Sequence, residues 1–392
     1  MKYSQTEVKP LKETQRDFTD DQRNSILGDI QEREERGMLI LSPKHREYKR
    51  RVLYVNSYGG KQLWNEVRNG EAPTHHLWGC VELAAMGYEV ALAEPLGYFS
   101  ASLRRPRIVQ DFPLISTVRE WLGTEGIVYA GHTVLYWIPF LRRLRALKTP
   151  LVSLCFAGEK LDHAAVHSGI IAMTPVAERL AKARAPNSRV AHLGWGVDLD
   201  FFPENPICRG DRFLSCGIAN RDFATLAEAS RESKRKFDVI CPGLRSGLEW
   251  GPKTEVYDGG EGWNIDQRKK FTFREILDRF YPTALSSIVL LNPDAQQYTA
   301  NGFTNLLESM AMGKASIFTK TGAIPEEIDI ETHNCGLFVE PSSPQSVVNA
   351  VEILSMEQAR AEEMGQAGRL LCEKHYNILR FSRDLDKFFA SV

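Results

Sequence analysis

The residues best suited to chemistry lie in one short stretch, Tyr298-Thr-Ala-Asn301-Gly302-Phe303-Thr304-Asn305-Leu-Leu-Glu308, continuing through Gly313 to Thr319. The pattern predicts a small-residue loop, a short helix carrying one carboxylate, a glycine stop at Gly313 and a buried strand over 315–318. Leu306, Leu307, Met310 and Ala311 recur at helical spacing, and Asn305 is of the type that caps a helix. A loop feeding a helix N-terminus offers N–H groups and a positive dipole end, which suits a phosphate. A second reading fits the same letters: Asn305-Leu-Leu-Glu308 has capping-box spacing, in which Glu308 ties back to the cap N–H and does no chemistry.

Other candidates sit where strands end. Gly59 and Gly60 follow a buried run over 51–56, and a glycine pair there either lets backbone approach a ligand or simply makes a turn. His132 follows a run over 126–130, and Glu159, Lys160, Asp162 and His163 follow one over 150–155. A histidine after a strand is a cap or packing residue as readily as a catalytic or sugar-binding group. Arg221 sits where a strand over 212–217 crosses into a helix.

The elements that must position these residues alternate between strand and helix. The first half carries strand runs over 51–56, 88–93, 126–130, 150–155 and 169–174, with helices over 76–86, around 141–147 and from Pro175. The second restarts at 212–217, with strands over 236–241, 286–291, 315–318 and 336–339, and helices over 221–229, 273–281, 344–356 and 358–376. Residues 243–272 are Gly-rich and read as irregular. This rhythm predicts an α/β protein of two doubly wound, Rossmann-like domains facing across a cleft. The expected division is a charged extension over 1–50, a first domain over 51–208, a second over 209–375, and a closing helix over 376–392 that could return to the first. Within the extension, 20–36 reads as an exposed helix and 44–51 as a basic run, suited to a solvated tail, a packing arm or peripheral membrane contact.

Composition sets bounds. A chain of 392 residues exceeds what one core usually supports, and 43% hydrophobic with 25% charged residues is globular usage. A net charge of -1 gives no case for nucleic acid as a partner. The cysteines at 80, 155, 208, 216, 241, 335 and 372 form no CxxC pair, arguing for reduced, cytoplasmic thiols rather than a disulfide frame or zinc site. There is no signal peptide and no apolar run long enough to span a bilayer.

Three motifs carry a resemblance. Gly302-Phe-Thr-Asn-Leu-Leu-Glu308-Ser-Met-Ala-Met-Gly-Lys resembles the donor-binding signature of retaining glycosyltransferases of family 4, which have the GT-B fold. Gly194-Trp-Gly-Val-Asp198-Leu-Asp-Phe-Phe-Pro203 is similar to the motif ending that family's first domain, and His333-Asn-Cys-Gly336-Leu-Phe-Val-Glu340-Pro to its late strand. In that order they cover roughly residues 51–377. The resemblance implies transfer of a sugar from a nucleotide-sugar, bound by the second domain, to an acceptor bound by the first: a glycan, lipid-linked or small-molecule hydroxyl. It implies that Glu308 binds the ribose hydroxyls, Arg221 the donor diphosphate, Gly59 and Gly60 the phosphates, and that His132 lies near the transferred sugar. Asn301, Gly302, Phe303, Thr304 and Asn305 complete the expected donor site. No metal or cofactor beyond the nucleotide-sugar co-substrate is implied.

The sequence departs from the family at Ala300, where a glutamate often precedes the Gly-Phe pair, at Ala157, where a histidine is usual, and at Ile218, where a second basic residue is expected. Lys253 or Lys314 could compensate, although Lys314 reads as solvated beside the glycine stop. Trp195, Trp250, Trp263 and Tyr298 could stack on a sugar or base, or simply pack. Competing functions are a same-fold isomerase or phosphorylase and a catalytically silent sugar-nucleotide-binding or scaffold protein.

Overall fold

The computed structural model describes residues 21–45, 47–56, 59–93, 111–131, 135–156, 164–203, 210–217, 220–242, 247–259, 271–292, 300–321 and 328–392. Two sheets organise them. The front sheet holds β1 (Ile30–Glu35), β2 (Met38–Pro43), β3 (Arg50–Val55), β4 (Tyr88–Ala93), β5 (Ile127–Ala130), β6 (Leu151–Cys155), β7 (Gly169–Ala172) and β8 (Arg189–His192), in the order β1-β2-β4-β3-β5-β6-β7-β8. From β4 to β8 every pair is parallel. The rear sheet is parallel throughout, with β9 (Arg212–Ser215), β10 (Lys236–Cys241), β11 (Thr254–Asp258), β12 (Ala284–Val289), β13 (Ala315–Thr319) and β14 (Gly336–Val339) ordered β11-β10-β9-β12-β13-β14. Their central strands are almost wholly buried, as apolar β-branched runs covered by helices on both faces must be.

Three expectations need correction. The helix expected over 20–36 spans only Asp21–Gly28, after which the chain forms the β1–β2 hairpin, paired from Ile30–Pro43 to Glu35–Met38. Its two-residue turn, Arg36-Gly37, has φ of 53° and 75°, the primed geometry that matches strand twist. The charged letters Gln-Glu-Arg-Glu-Glu of β1 suit an exposed edge strand, which hid its alternation. Second, the helix expected over 76–86 begins only at Cys80, preceded by one tight turn, Thr74–Leu77. Two left-handed residues, Trp78 and Gly79, separate them. Third, the span 243–272 contains an edge strand, β11, whose half-exposed residues gave no burial pattern. A smaller difference is that the helix expected around 141–147 runs over Trp137–Arg143.

The chain crosses between the lobes twice. After β8 the segment 194–203 leads to the rear sheet, and the helix Gln358–His375 leads back to Ile378–Phe389, which packs on the front-lobe helix Cys80–Ala85. The crossings pair: Val197 N–H donates to Tyr376 O at 2.7 Å and Ile378 N–H to Val197 O at 2.9 Å. The last helix is held by Tyr88 Oη donating to Asp386 at 2.7 Å and by the Phe389 ring against Tyr129 at 5.3 Å. The six described cysteines are buried. Among the described residues no helix is long and apolar enough to cross a membrane.

Candidate active site

The helix Phe303–Ala311 starts at Gly302 and buries Leu306, Leu307, Met310 and Ala311 beneath it. Gly302 has φ of 83°, and a Cβ there would lie 2.9 Å from Val289 Cγ1, so the turn into the helix requires glycine. Asn305 is therefore not the cap, and the capping box expected as the alternative does not form. Asn305 and Glu308 sit inside the helix, one turn apart on one face, where side chains three apart meet. First-turn N–H groups have no intrahelical carbonyl to meet, and those of Thr304 and Asn305 open this helix.

Asn305 bridges two buried charges. Its Nδ2 donates to Glu308 Oε2 at 3.0 Å, and its Oδ1 accepts from Arg221 Nη2. Arg221 leaves β9 just before the helix Phe223–Glu232, which Asp222 caps through Thr225 N–H. Gly217 makes room for the bridge, since a Cβ there would stand 2.4 Å from Asn305 Oδ1 and 2.6 Å from Arg221 Nη2. Burial lowers the Arg221 guanidinium to about 10, still charged at neutral pH, with Glu308 among the groups opposing the drop. Cys216 beside it is pushed up to about 12 by burial and the nearby carboxylate, and stays a thiol.

The remaining Glu308 oxygen faces the front lobe. Oε1 lies 3.3 Å from His75 Nε2 and 3.3 Å from His76 Nε2, both on the turn Thr74–Leu77. Burial pushes the Glu308 carboxyl up, but the two imidazoles outweigh it and hold the group down to about 2. Asp198 N–H donates to His75 Nδ1 at 3.1 Å, so that nitrogen carries the lone pair and Nε2 the proton. The Asp198 carboxylate accepts from Thr74 N–H at 2.9 Å and Phe201 N–H at 3.1 Å, tying the motif 194–203 to the histidine turn. Thr74 Oγ1 donates in turn to Glu82, whose carboxyl burial raises to about 7.

His75, His76 and Glu308 bring three ligating atoms within 4.8 Å of one another. The set does not fit a metal, because a ligand nitrogen must present its lone pair and that of His75 is engaged by Asp198 on the other side of the ring. The arrangement instead sets two imidazole nitrogens, each 3.3 Å away, against a carboxylate oxygen.

Other expected residues fall as follows. Gly59 precedes the helix Gly60–Arg68, and a Cβ on Gly60 would meet Leu92 Cβ at 3.3 Å, so close helix-to-strand packing already accounts for the second glycine. Asn301 and Gly302 form the turn, and Thr304 is half-buried at the helix start. Phe303 is buried against Phe318 and Trp195, so it belongs to the core. Lys314, expected in solvent, is buried with Nζ donating to Ala284 O at 2.8 Å. Lys253 is exposed at the amino end of β11, away from the carboxyl ends that face the other lobe. Trp195 packs edge-on against Trp78 at 4.9 Å and Phe156 at 5.5 Å, and Trp250 against the rear-sheet core, so neither is a free stacking face. His132, the cluster 159–163, Ala157, Ile218, Trp263 and Tyr298 lie outside the described residues.

His75 and His76 were missed by sequence reasoning, which placed His76 in a helix. The available signal was the Pro73-Thr-His-His run ahead of a Trp-Gly break, with Asp198 inside a recognised motif but of unassigned role.

No protein-family model and no curated protein matches the chain. Solved structures do. Sucrose-phosphate synthase from Thermosynechococcus elongatus aligns with a TM-score of 0.62 at 13% identity, covering 87% of this chain and 98% of that one. Anabaena HepE in complex with UDP-glucose aligns at 0.57 and 12%, covering 87% and 100%. The trehalose 6-phosphate synthase of Burkholderia multivorans aligns at 0.59 and 11%, covering 88% and 97%. These likenesses and the two sheets define the fold as GT-B, two Rossmann-like domains facing each other.

Proposed function

We propose that the protein is a glycosyltransferase that moves a sugar, with retention and without a metal, from a nucleotide-sugar to a hydroxyl acceptor. The observation that carries this is the Arg221–Asn305–Glu308 constellation on the rear lobe, set where that lobe meets the front lobe. An ionised carboxylate is a strong acceptor for ribose hydroxyls. A buried guanidinium beside first-turn amides suits the charge that develops on a departing diphosphate. In this reading the bond from the anomeric carbon to the diphosphate oxygen breaks, the acceptor oxygen attacks on the same face, and its proton passes to the leaving phosphate. Among the neighbours, HepE was solved with UDP and with UDP-glucose, which makes UDP-glucose the first donor to test.

The acceptor belongs to the front lobe and is a glycan, lipid-linked or small-molecule hydroxyl. A lipid-linked acceptor would bring with it the peripheral membrane contact considered from the basic run near 44–51. A second reading, a nucleotide-sugar-binding protein without turnover, is favoured by Ala300, which leaves Glu308 as the sole acid of the pair the resemblance implies. Incubation with a panel of nucleotide-sugars separates the two. Free nucleotide and glycosylated product support transfer, binding without release supports the silent reading, and an altered sugar without nucleotide release supports an isomerase.

A further inference from the structure

We infer that His75 and His76 are positioning residues of the donor site, supplied by the opposite lobe to aim the Glu308 carboxylate and keep it ionised only when the lobes are apposed. The inference rests on the reading above that Glu308 meets the nucleotide.

The geometry is that of a latch with both sides fixed. On the rear lobe, Asn305 holds Oε2 and thereby turns Oε1 toward the front lobe. On the front lobe, Asp198 sets the His75 tautomer so that the protonated ring nitrogen, Nε2, is the one that lies 3.3 Å from Oε1. The His76 ring lies between that of His75, 4.4 Å away, and that of Phe273 from the rear lobe, 4.6 Å away. The same segment is fastened to the rear lobe by Arg274 N–H donating to Glu71 O at 3.2 Å and by Arg274 Nε donating to Gly70 O at 3.3 Å. Separating the lobes would break the Glu308, Phe273 and Arg274 contacts to this segment together.

The groups facing Glu308 leave this task to the histidines. Arg221 acts on it through Asn305. Cys216 and Tyr281 are held neutral by burial, and Tyr281 turns its hydroxyl to Ser309 at 3.3 Å. A fully buried carboxylate with one amide donor would take up a proton far more readily than one met by two imidazoles.

The test is a carbon-13 NMR titration of the side-chain carboxyls in the full-length apo protein, with Glu308 assigned by difference from Glu308→Gln. The same preparations are then followed for nucleotide affinity between pH 5 and 8. The wild type is expected to keep Glu308 ionised throughout and to bind UDP with no acid limb. In His75→Ala/His76→Ala the carboxyl should titrate about four pH units higher than in wild type, and UDP affinity should fall on the order of tenfold from pH 7 to 5. His75→Gln, which retains a donor, should lie nearer wild type, and it with His76→Gln keeps the test available if the double variant does not fold. A Glu308 titration unmoved in these variants overturns the inference. If the carboxyl shifts while no nucleotide binds any form, the latch stands and the donor reading fails.

Discussion

Replacing Asn305 tests the arrangement most directly, because its amide is shared by two buried charges. The Asn305→Leu substitution keeps roughly the side-chain volume but removes the donor to Glu308 Oε2 and the acceptor for Arg221 Nη2. Hydrogen bonds to charged groups contribute about 1.5–3 kcal/mol each, so the loss is about 3 kcal/mol or more. For a lobe of this size that lowers the melting temperature on the order of 5–10 °C. The Asn305→Asp substitution makes a sharper test. It keeps the acceptor for Arg221 but sets a second carboxylate where Nδ2 now stands 3.0 Å from Glu308. Two carboxylates so close share a proton, raising the folded pKa of one above its unfolded value. Such a group stabilises at low pH and loses that contribution as pH rises through the folded pKa. Differential scanning calorimetry from pH 5.5 to 7.5 should therefore show Asn305→Asp approaching wild type at the acid end and falling away at the alkaline end, while Asn305→Leu keeps a constant deficit. A melting temperature for Asn305→Leu within a degree of wild type, or a flat deficit for Asn305→Asp, would refute the bridge.

Glu308→Gln should narrow its stability gap from wild type as pH falls. The wild-type carboxyl, held at about 2 against an ordinary 4.5, stabilises the fold above 4.5 and ceases to do so as pH drops toward 2. Melts at pH 6, 4 and 2.5 check this, and a constant gap would mean the ionised form is not the favoured one. Gly302→Ala should cost about 1–2 kcal/mol for the left-handed backbone alone, with more from the Val289 contact, and thermal melts read it. Arg221→Lys should lower nucleotide-sugar turnover on the order of 10²–10³-fold, because an ammonium cannot both bond Asn305 and span a diphosphate; an unchanged rate of nucleotide release would remove Arg221 from the site.

What the letters made legible was local. Gly302, Gly313 and the 306–311 apolar spacing predicted a loop, helix and stop because each acts within a few residues of itself. The parallel strands were readable for the same reason: both faces are buried, so their sequences are continuous apolar runs. Elements with weaker local signals were misread. The charged edge strand β1 resembles a solvated helix, and the short β11 merges into a glycine-rich span. Lys314 shows another limit, since a lysine beside a glycine stop is usually solvated and nothing nearby in sequence announces the Ala284 carbonyl that receives it.

The site divides along the same line. Asn305 and Glu308 lie one helical turn apart, so their contact follows from spacing once the helix start is known, and the error was to place that start at Asn305 rather than Gly302. Arg221 and Gly217 reach them because β9 and β12 are neighbours in the rear sheet, a fact of topology that strand-by-strand reading does not supply. His75 and His76 come from the other lobe entirely, through a turn whose position depends on Asp198 and whose closeness to Glu308 depends on how the lobes meet. A buried acid at the lobe boundary is tolerable only if something across that boundary answers its charge, and burial of Glu308 to 4% exposure demands such a group. Given the fold, burial of Glu308 requires a positive or proton-bearing group opposite it, and His75 and His76 stand there.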